Sequence, residues 1–246
     1  MIKLEKYEVM GWEHVIRGMR NPLNSWARSD SHRCGSGDCG ICIDYDDCPY
    51  NHDPNLLIIG NGDEKLMMKL RNAGTDHRKF MRMLVVYVDI TAPLYWWKEF
   101  DTYKVGTVAN SCSTMHKIHE KEFTLDDFSR SYLDGTHVCV DRVWAQFSSW
   151  DILKLTVDAL NFHRKRYIES DDKYHWHQMI QLLPTSYNQK RTVMLNYEVL
   201  ANVYKSRKNH KLDEWRELCK WIEELPYSEI ITGGNVDGEV DNAANS

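Results

Sequence analysis

Hydrophobic and polar positions along the first ninety residues alternate between strand-like and helix-like spacing. Residues 1–30 are predicted to form a short strand and then a helix that stops at Pro22. A helix is predicted to start with Asp63 as its cap and to end at Gly74. The segment FMRMLVVYVDI follows and is the strongest predicted strand, because it is rich in β-branched and aromatic residues.

Residues 93–116, PLYWWKEFDTYKVGTVANSCSTMH, are predicted to form a helix and then an exposed polar turn. Pro93 suits a first helical turn, which does not need its missing N–H. The helical pattern reaches about Val105, and small polar residues follow it. Trp96 and Trp97 are interpreted as core or subunit-interface residues rather than a flavin-stacking surface. A transition from helix to polar loop is a common place to hold an anionic ligand.

Helical spacing dominates the second half of the chain. Thr124 and Asp127 form a capping box ahead of a predicted short helix. Four longer helices are predicted at about 149–170, 172–183, 196–207 and 212–225, with an extended segment before the third. In the first of them the core-facing positions are predicted to be Ile152, Leu155, Val157 and Leu160.

Composition describes an ordinary soluble protein of 246 residues with a formal net charge of −5. That charge gives no reason to expect a nucleic acid or an acidic membrane as partner. The longest apolar run, MLVVYV, is too short to cross a membrane, and the N-terminus lacks the apolar core of a signal peptide. We therefore expect a cytoplasmic protein. We expect one domain over residues 1–232 and a disordered acidic tail over 233–246.

Residues 31–55 differ from the rest of the chain, because they are rich in Gly, Asp and Cys and have little apolar periodicity. They are interpreted as an inserted loop. Four thiolates in such a loop fit a structural zinc site, and C-x2-C is typical of zinc ligands. An iron–sulfur cluster, or free thiols or a disulfide, are the other interpretations. The candidate ligands are Cys34, Cys39, Cys42 and Cys48.

Three segments, taken in order, resemble the flavin-dependent thymidylate synthase family. His77 precedes Phe80 as a family histidine precedes a Phe-led strand. Residues 102–116, TYKVGTVANSCSTMH, are similar to the signature Arg-His-Arg-x-x-Ser-x-Asn-Glu-x-Ser-x-Arg-Tyr. Leu183-Pro184, Asn196 and Arg207 occupy places similar to later family positions. The resemblance covers roughly residues 60–225.

This resemblance implies an α+β fold in which a β-sheet packs with several long helices, and a homotetramer. It implies reductive methylation of dUMP, or of a related pyrimidine nucleotide, with FAD, NADPH and methylenetetrahydrofolate. The cofactors supply this chemistry, so no catalytic nucleophile is assigned. The resemblance implies cofactor-binding roles for His77, Tyr103, Lys104, Thr107 and Asn196. It implies nucleotide-binding roles for Glu99, Ser111, Cys112, Ser113 and Arg207.

Departures from the family pattern fall at the site itself. The three basic signature residues are Thr102, Tyr103 and Lys104, so one positive charge is kept. The family's Glu is Ser111, its nucleotide-binding Arg is Met115, its Gln is Glu99, and an Arg of a later helix is Glu198. Nucleotide binding remains the favoured interpretation, and the alternative is the same fold kept as a non-catalytic nucleotide-binding or interaction protein. Partial compensation is expected from Lys98, Lys104, Lys190, Arg191 and Arg207.

Overall fold

A four-stranded antiparallel sheet is the centre of the computed structural model, which describes residues 2–34, 57–140 and 143–234, without the side chains of 137–146. The strand order is β1-β4-β8-β5. β4 lies inside the sheet, and its alternate residues Val86, Val88, Ile90 and Ala92 are buried. This alternation is what period-2 side-chain geometry requires of a strand with one covered face. The strands are β1 Lys3–Met10, β4 Val85–Pro93, β5 Val108–Ser111 and β8 Asn188–Asn196.

Helices cover the apolar face of this sheet and form a second, smaller core. In chain order they are α1 Trp12–Arg20, α2 Asn61–Asn72, α3 Leu94–Phe100, α4 Ser149–Ser170, α5 Lys173–Leu182, α6 Tyr197–Arg207, α7 Asp213–Glu223 and α8 Glu229–Thr232. Two further antiparallel strand pairs are β2 His32–Arg33 with β3 Leu57–Ile58, and β6 His137–Val140 with β7 Val143–Ser148. The predicted α+β class is confirmed.

Large aromatic side chains fill the main core. Trp96 and Trp97 of α3 are buried with Trp215 of α7 and Tyr197 of α6. The two tryptophans of α3 are therefore core residues, as one of the two sequence interpretations had it. The second core lies between α4 and α5, where Leu160 and Met179 pack with residues of the 118–128 segment.

The segment after Pro93 differs from its prediction in two ways. α3 ends at Phe100 rather than near Val105. The Thr102 hydroxyl donates to the Glu99 carbonyl oxygen at 2.7 Å, and this local bond competes with further helix. Residues 108–111 are the edge strand β5 rather than a turn, because they pair with the open side of β8.

Other boundaries also needed correction. The predicted strand FMRMLVVYVDI begins only at Val85, because residues 78–83 form a 3-10 helix. The predicted short helix after Thr124 is a single 3-10 turn, although its capping box is present. On α4, Ile152 and Leu155 are about half exposed, and Leu153 is buried with Val157 and Leu160.

Asp63 was wrongly predicted as the cap of α2. Its side chain is fully buried and accepts a hydrogen bond from Arg20 Nε at 2.6 Å. The cap comes instead from Asp30, whose carboxylate accepts from the backbone N–H groups of Gly62 and Asp63. A cap supplied from thirty residues away leaves no local sequence signal.

Parts of the sequence predictions fall on residues 35–56 and 235–246, which lie outside the described residues. They include Cys39, Cys42 and Cys48 and nearly all of the acidic tail. The division into one domain stays a prediction. In the described part of the chain, no helix is both long and apolar enough to span a bilayer.

Candidate functional site

Three of the predicted site residues meet between the end of α3 and the end of α6. Arg207 Nη1 donates to Glu99 Oε2 at 3.0 Å, and Arg207 Nε donates to the Tyr103 hydroxyl at 3.0 Å. Glu99 lies in the last turn of α3, and Arg207 is the last residue of α6. Two residues predicted to bind the nucleotide, Glu99 and Arg207, therefore form one hydrogen-bonded group with Tyr103, which was predicted to bind the cofactor.

Two residues that the sequence did not single out complete this group. Trp215 Nε1 donates to the same Glu99 oxygen at 3.0 Å, and His210 Nε2 lies 3.6 Å from it. The Arg207 guanidinium lies 4.6 Å from the centre of the Trp215 ring. The available signal was their position on the segment just after Arg207. We call these five residues the Arg207 cluster: Glu99, Tyr103, Arg207, His210 and Trp215.

A left-handed glycine stands between α3 and β5. Gly106 has φ +78°, and a Cβ there would lie 2.8 Å from Asn196 Nδ2. Asn196 caps α6, since its Oδ1 accepts from the Val199 N–H at 3.0 Å. The next residue, Thr107, has a buried hydroxyl with no hydrogen-bond partner among the described residues. The missing side chain of Gly106 makes room for Asn196, so the group of this turn that is left for a ligand is the unused Thr107 hydroxyl.

The polar residues at the end of β5 are exposed and are held through their backbone. Cys112 N donates to the Lys190 carbonyl oxygen at 2.9 Å, and Gln189 Nε2 donates to the Cys112 carbonyl oxygen at 2.9 Å. Ser113 Oγ accepts from His116 N at 2.9 Å and so closes a turn. Ser111 stands opposite Arg191 in the sheet. The hydroxyl of Ser111 and the thiol of Cys112 therefore face solvent.

Some of the cations that were expected to compensate for the missing signature residues form ion pairs with carboxylates, and others do not. Arg191 Nη1 bonds Asp101 Oδ1 at 2.7 Å, and its guanidinium lies 4.2 Å from the Trp97 ring centre. Lys190 Nζ lies 3.0 Å from Asp89 Oδ2, and this contact raises the pKa of Lys190. Lys98 and Lys104 are exposed, and neither forms an ion pair with any described residue. Lys98 and Lys104 are therefore positive charges that remain available to an anionic ligand.

His77 stands apart from the Arg207 cluster in its contacts. It is exposed and precedes the 3-10 helix Arg78–Met83. That helix packs on α6, where Arg82 bonds the buried Glu198 and Arg78 Nε lies 3.4 Å from Glu198 Oε1. The Glu198 carboxylate is therefore paired with two arginines of the neighbouring segment.

The candidate metal ligands are only partly described. Cys34 is buried at the end of the first described range. Within residues 2–34, 57–140 and 143–234, no three His, Cys, Asp or Glu side chains are grouped to hold a metal ion. The other three cysteines lie outside these ranges, so the zinc site stays a prediction.

Solved structures identify the architecture. Thymidylate synthase X from Helicobacter pylori, solved with FAD and dUMP, is similar with a TM-score of 0.59 over 94% of this chain and 97% of that chain. A second structure of that enzyme, described as a flavin-dependent thymidylate synthase, gives 0.58 over 94% and 98%. This chain has the fold of a flavin-dependent thymidylate synthase. The sequence resemblance is confirmed at the level of fold.

The flavin-dependent thymidylate synthase fold is shared with a second enzyme. The UMP/dUMP methylase PolB from Streptomyces cacaoi, bound with 5-Br dUMP, gives a TM-score of 0.53 over 95% of this chain and 94% of that chain. Sequence identities are 17% and 16% to the Helicobacter enzyme and 12% to PolB. No protein-family profile and no curated protein sequence matches the chain. The residue roles therefore remain predictions within an established fold.

Proposed function

We propose that this protein binds a pyrimidine nucleotide and a flavin between α3, β5 and α6 and reductively methylates dUMP or a related nucleotide. The observation that carries the proposal is the Arg207 cluster, in a fold whose solved examples bind FAD and dUMP or 5-Br dUMP. Methylenetetrahydrofolate is the proposed carbon donor and NADPH the proposed reductant.

Arg207 is the proposed nucleotide contact. Its Nε and Nη1 groups are used inside the protein, while Nη2 has no partner among the described residues. Stacking on Trp215 and the bond to Tyr103 fix the guanidinium plane, so Nη2 is oriented before a ligand arrives. The exposed Ser111 and Ser113 are proposed to bond the sugar or phosphate.

The residues around Gly106 fit a flavin pyrophosphate. The unused Thr107 hydroxyl offers a donor, and the exposed Lys104 offers a positive charge. When bound, flavin supplies the hydride of the reductive step. The chain's own part is to hold and orient the two ligands, and no residue of it needs to act as a nucleophile.

A non-catalytic nucleotide-binding or interaction protein is the second candidate. It is favoured by carboxylates that neutralise the cations of this region: Glu99 for Arg207, Asp101 for Arg191 and Glu198 for Arg78 and Arg82. Each such pair lowers the positive potential offered to a phosphate.

Retention of flavin during purification shows whether the protein binds this cofactor. Purified protein is expected to be yellow after desalting, or to be thermally stabilised by added FAD. The variant Arg207→Lys keeps the charge but loses the planar fork, so stabilisation by dUMP is expected to fall while stabilisation by FAD persists. Arg17→Lys, on the exposed face of α1, is the control. Protein that is colourless and unaffected by FAD and dUMP contradicts both candidates.

Turnover separates the two candidates. Release of tritium from dUMP labelled at the reacting carbon, in the presence of FAD, NADPH and methylenetetrahydrofolate, supports the enzyme. Ligand binding without tritium release supports the non-catalytic protein.

We also propose a homotetramer, cytoplasmic residence and a structural zinc ion held by Cys34, Cys39, Cys42 and Cys48. Such a zinc ion would stabilise the insertion and take no part in methylation. Elemental analysis of the purified protein, with melting measured before and after chelation, tests it. A metal-free preparation with unchanged melting contradicts it.

A further inference from the structure

Two histidines of the α4–α5 hairpin face each other in the second core region, and no step of the proposed function uses them. His163 Nδ1 on α4 lies 2.9 Å from His175 Nδ1 on α5, and the ring centres are 5.2 Å apart. Both side chains are partly buried. Two imidazoles at this distance either share one proton or act together as ligands.

The distance between the nitrogens is the one that a shared metal ion needs. A metal–imidazole bond is about 2.0–2.1 Å long, so two ligands at a right angle hold their nitrogens about 2.9 Å apart. In the structure the two nitrogens form a hydrogen bond, so a bound ion would replace the proton between them, and a rotation of each ring about its broad χ2 torsion would direct both lone pairs at the ion. Because this rotation changes the distance between the nitrogens, affinity rather than distance indicates which ion binds. The affinity of nitrogen ligands for first-row divalent ions rises through Ni²⁺ to a maximum at Cu²⁺.

The surroundings suit a neutral nitrogen site that is open to solvent. The rings of Phe162 and Tyr174 flank the pair, and both are more than half exposed. Imidazole ligands without a carboxylate favour copper and nickel over magnesium or calcium.

We propose that His163 and His175 form a two-histidine site for a divalent ion of the copper or nickel class. The described residues contain no group of three metal ligands, so water or an added ligand completes the coordination. The ion joins α4 to α5 through one side chain of each helix. It is separate from the zinc proposed in the cysteine-rich insertion, which would use thiolates.

Titration of metal-free protein with Cu²⁺ and Ni²⁺ tests this site. We expect nitrogen hyperfine structure from two imidazoles in the electron paramagnetic resonance spectrum of bound Cu²⁺, and a Tm that rises with metal concentration. His163→Gln and His175→Gln keep a hydrogen-bonding side chain but remove a ligand. Each is expected to weaken binding at least about tenfold, the loss that even an outer-shell change causes.

His177→Gln is the matched control, because His177 is an exposed histidine of α5 whose ring contacts Trp176 rather than the histidine pair. It is expected to bind metal as the unaltered protein does. Equal affinity in all three variants assigns the bound metal to another part of the chain and overturns the proposal. Absence of any nitrogen-bound Cu²⁺ overturns it as well. Tm values without metal show whether each variant is folded.

Discussion

Glu99 sets the charge of the Arg207 cluster. One of its oxygens accepts from Arg207 and Trp215, so the carboxylate is held in place beside the guanidinium. A ligand phosphate that approaches Arg207 therefore also approaches a negative charge. We expect Glu99→Gln to raise the affinity for dUMP about fivefold. This corresponds to about 1 kcal/mol for a partly exposed charge.

Isothermal titration with dUMP at low and high salt measures this effect. The gain is expected to shrink as salt screens the charges. Glu8→Gln, on the edge strand β1, changes the net charge equally and is expected to leave the affinity unchanged. Weaker binding by Glu99→Gln would mean that the carboxylate itself contacts the nucleotide.

Asp63 is the second residue with a charge-dependent role, here in stability. Burial alone raises the pKa of its carboxyl, but hydrogen bonds from Ser29, Ser31 and Arg20 outweigh burial and hold this pKa below 3.8. Because the folded pKa is lowered, the stabilisation is present above about pH 4 and is lost as pH falls through the folded pKa. We expect Asp63→Asn to cost about 3–5 kcal/mol at pH 7, since Arg20 is left buried without its partner.

Urea denaturation from pH 7 down to pH 3 checks both parts of this expectation. The difference between the variant and the unaltered protein should narrow toward the acid end. Asp158→Asn, at an exposed position of α4, is the control and should change little at any pH. A difference that stays constant with pH would show that the loss comes from packing rather than charge.

At the scale of elements, Gly106 decides how α3 joins β5. It needs a left-handed φ, and it also lies against Asn196, the cap of α6. We expect Gly106→Ala to cost more than the roughly 1–2 kcal/mol of backbone strain alone, because the added Cβ meets a side chain that caps another helix. Binding of FAD should weaken with it, since the flavin is proposed to bind at the neighbouring residues Lys104 and Thr107.

Two other glycines separate the causes. Gly74 has φ +105° and nothing within 4 Å of an added Cβ, so Gly74→Ala should lower the stability by the backbone strain alone. Gly135→Ala has open space and no positive φ, so it should show almost no change. Denaturation midpoints and FAD titrations of the three variants give the comparison. Equal losses of stability in Gly74→Ala and Gly106→Ala would show that the contact with Asn196 adds nothing to the backbone strain.

Elements with local signals at both ends were predictable from the sequence. α4 spans the predicted residues 149–170, because a capping box of Ser148 and Asp151 starts it and the left-handed Asp171 ends it. The end of α3 and the strand β5 were not, since they depend on a hydroxyl–carbonyl bond and on the free edge of β8. The burial of Asp63, like the pairing of β5 with β8, could not be predicted because the partners are distant in sequence.

At the scale of the whole molecule, the resemblance correctly predicted the fold but not how the charges are arranged. Glu99, Tyr103 and Arg207 were each named from the sequence, and the structure brings them together. What the sequence could not show is that Glu99 pairs with Arg207, or that Arg78 and Arg82 pair with Glu198. Both pairings join side chains from segments far apart in the chain. The net positive charge of this region is therefore lower than a count of its arginines suggests.

Assembly is the remaining property of the whole molecule, and the exposed face of α4 is where a test can reach it. Ile152, Leu155 and Phe162 lie on one side of this helix and are 49%, 52% and 54% exposed. We expect this row to be part of a subunit contact, because exposed apolar patches are typical of interaction sites. If the homotetramer buries this row, Leu155→Lys should weaken each subunit contact by about 1.5–3 kcal/mol, the free energy of burying one leucine side chain. The lysine charge would also have to be desolvated, which weakens the contact further.

Light scattering after size-exclusion chromatography should then show smaller species for Leu155→Lys. Leu23→Lys, at a leucine that is 57% exposed on another segment, should assemble normally. A tetramer that tolerates Leu155→Lys would place the subunit contacts on another face, and a monomeric unaltered protein would contradict the homotetramer itself.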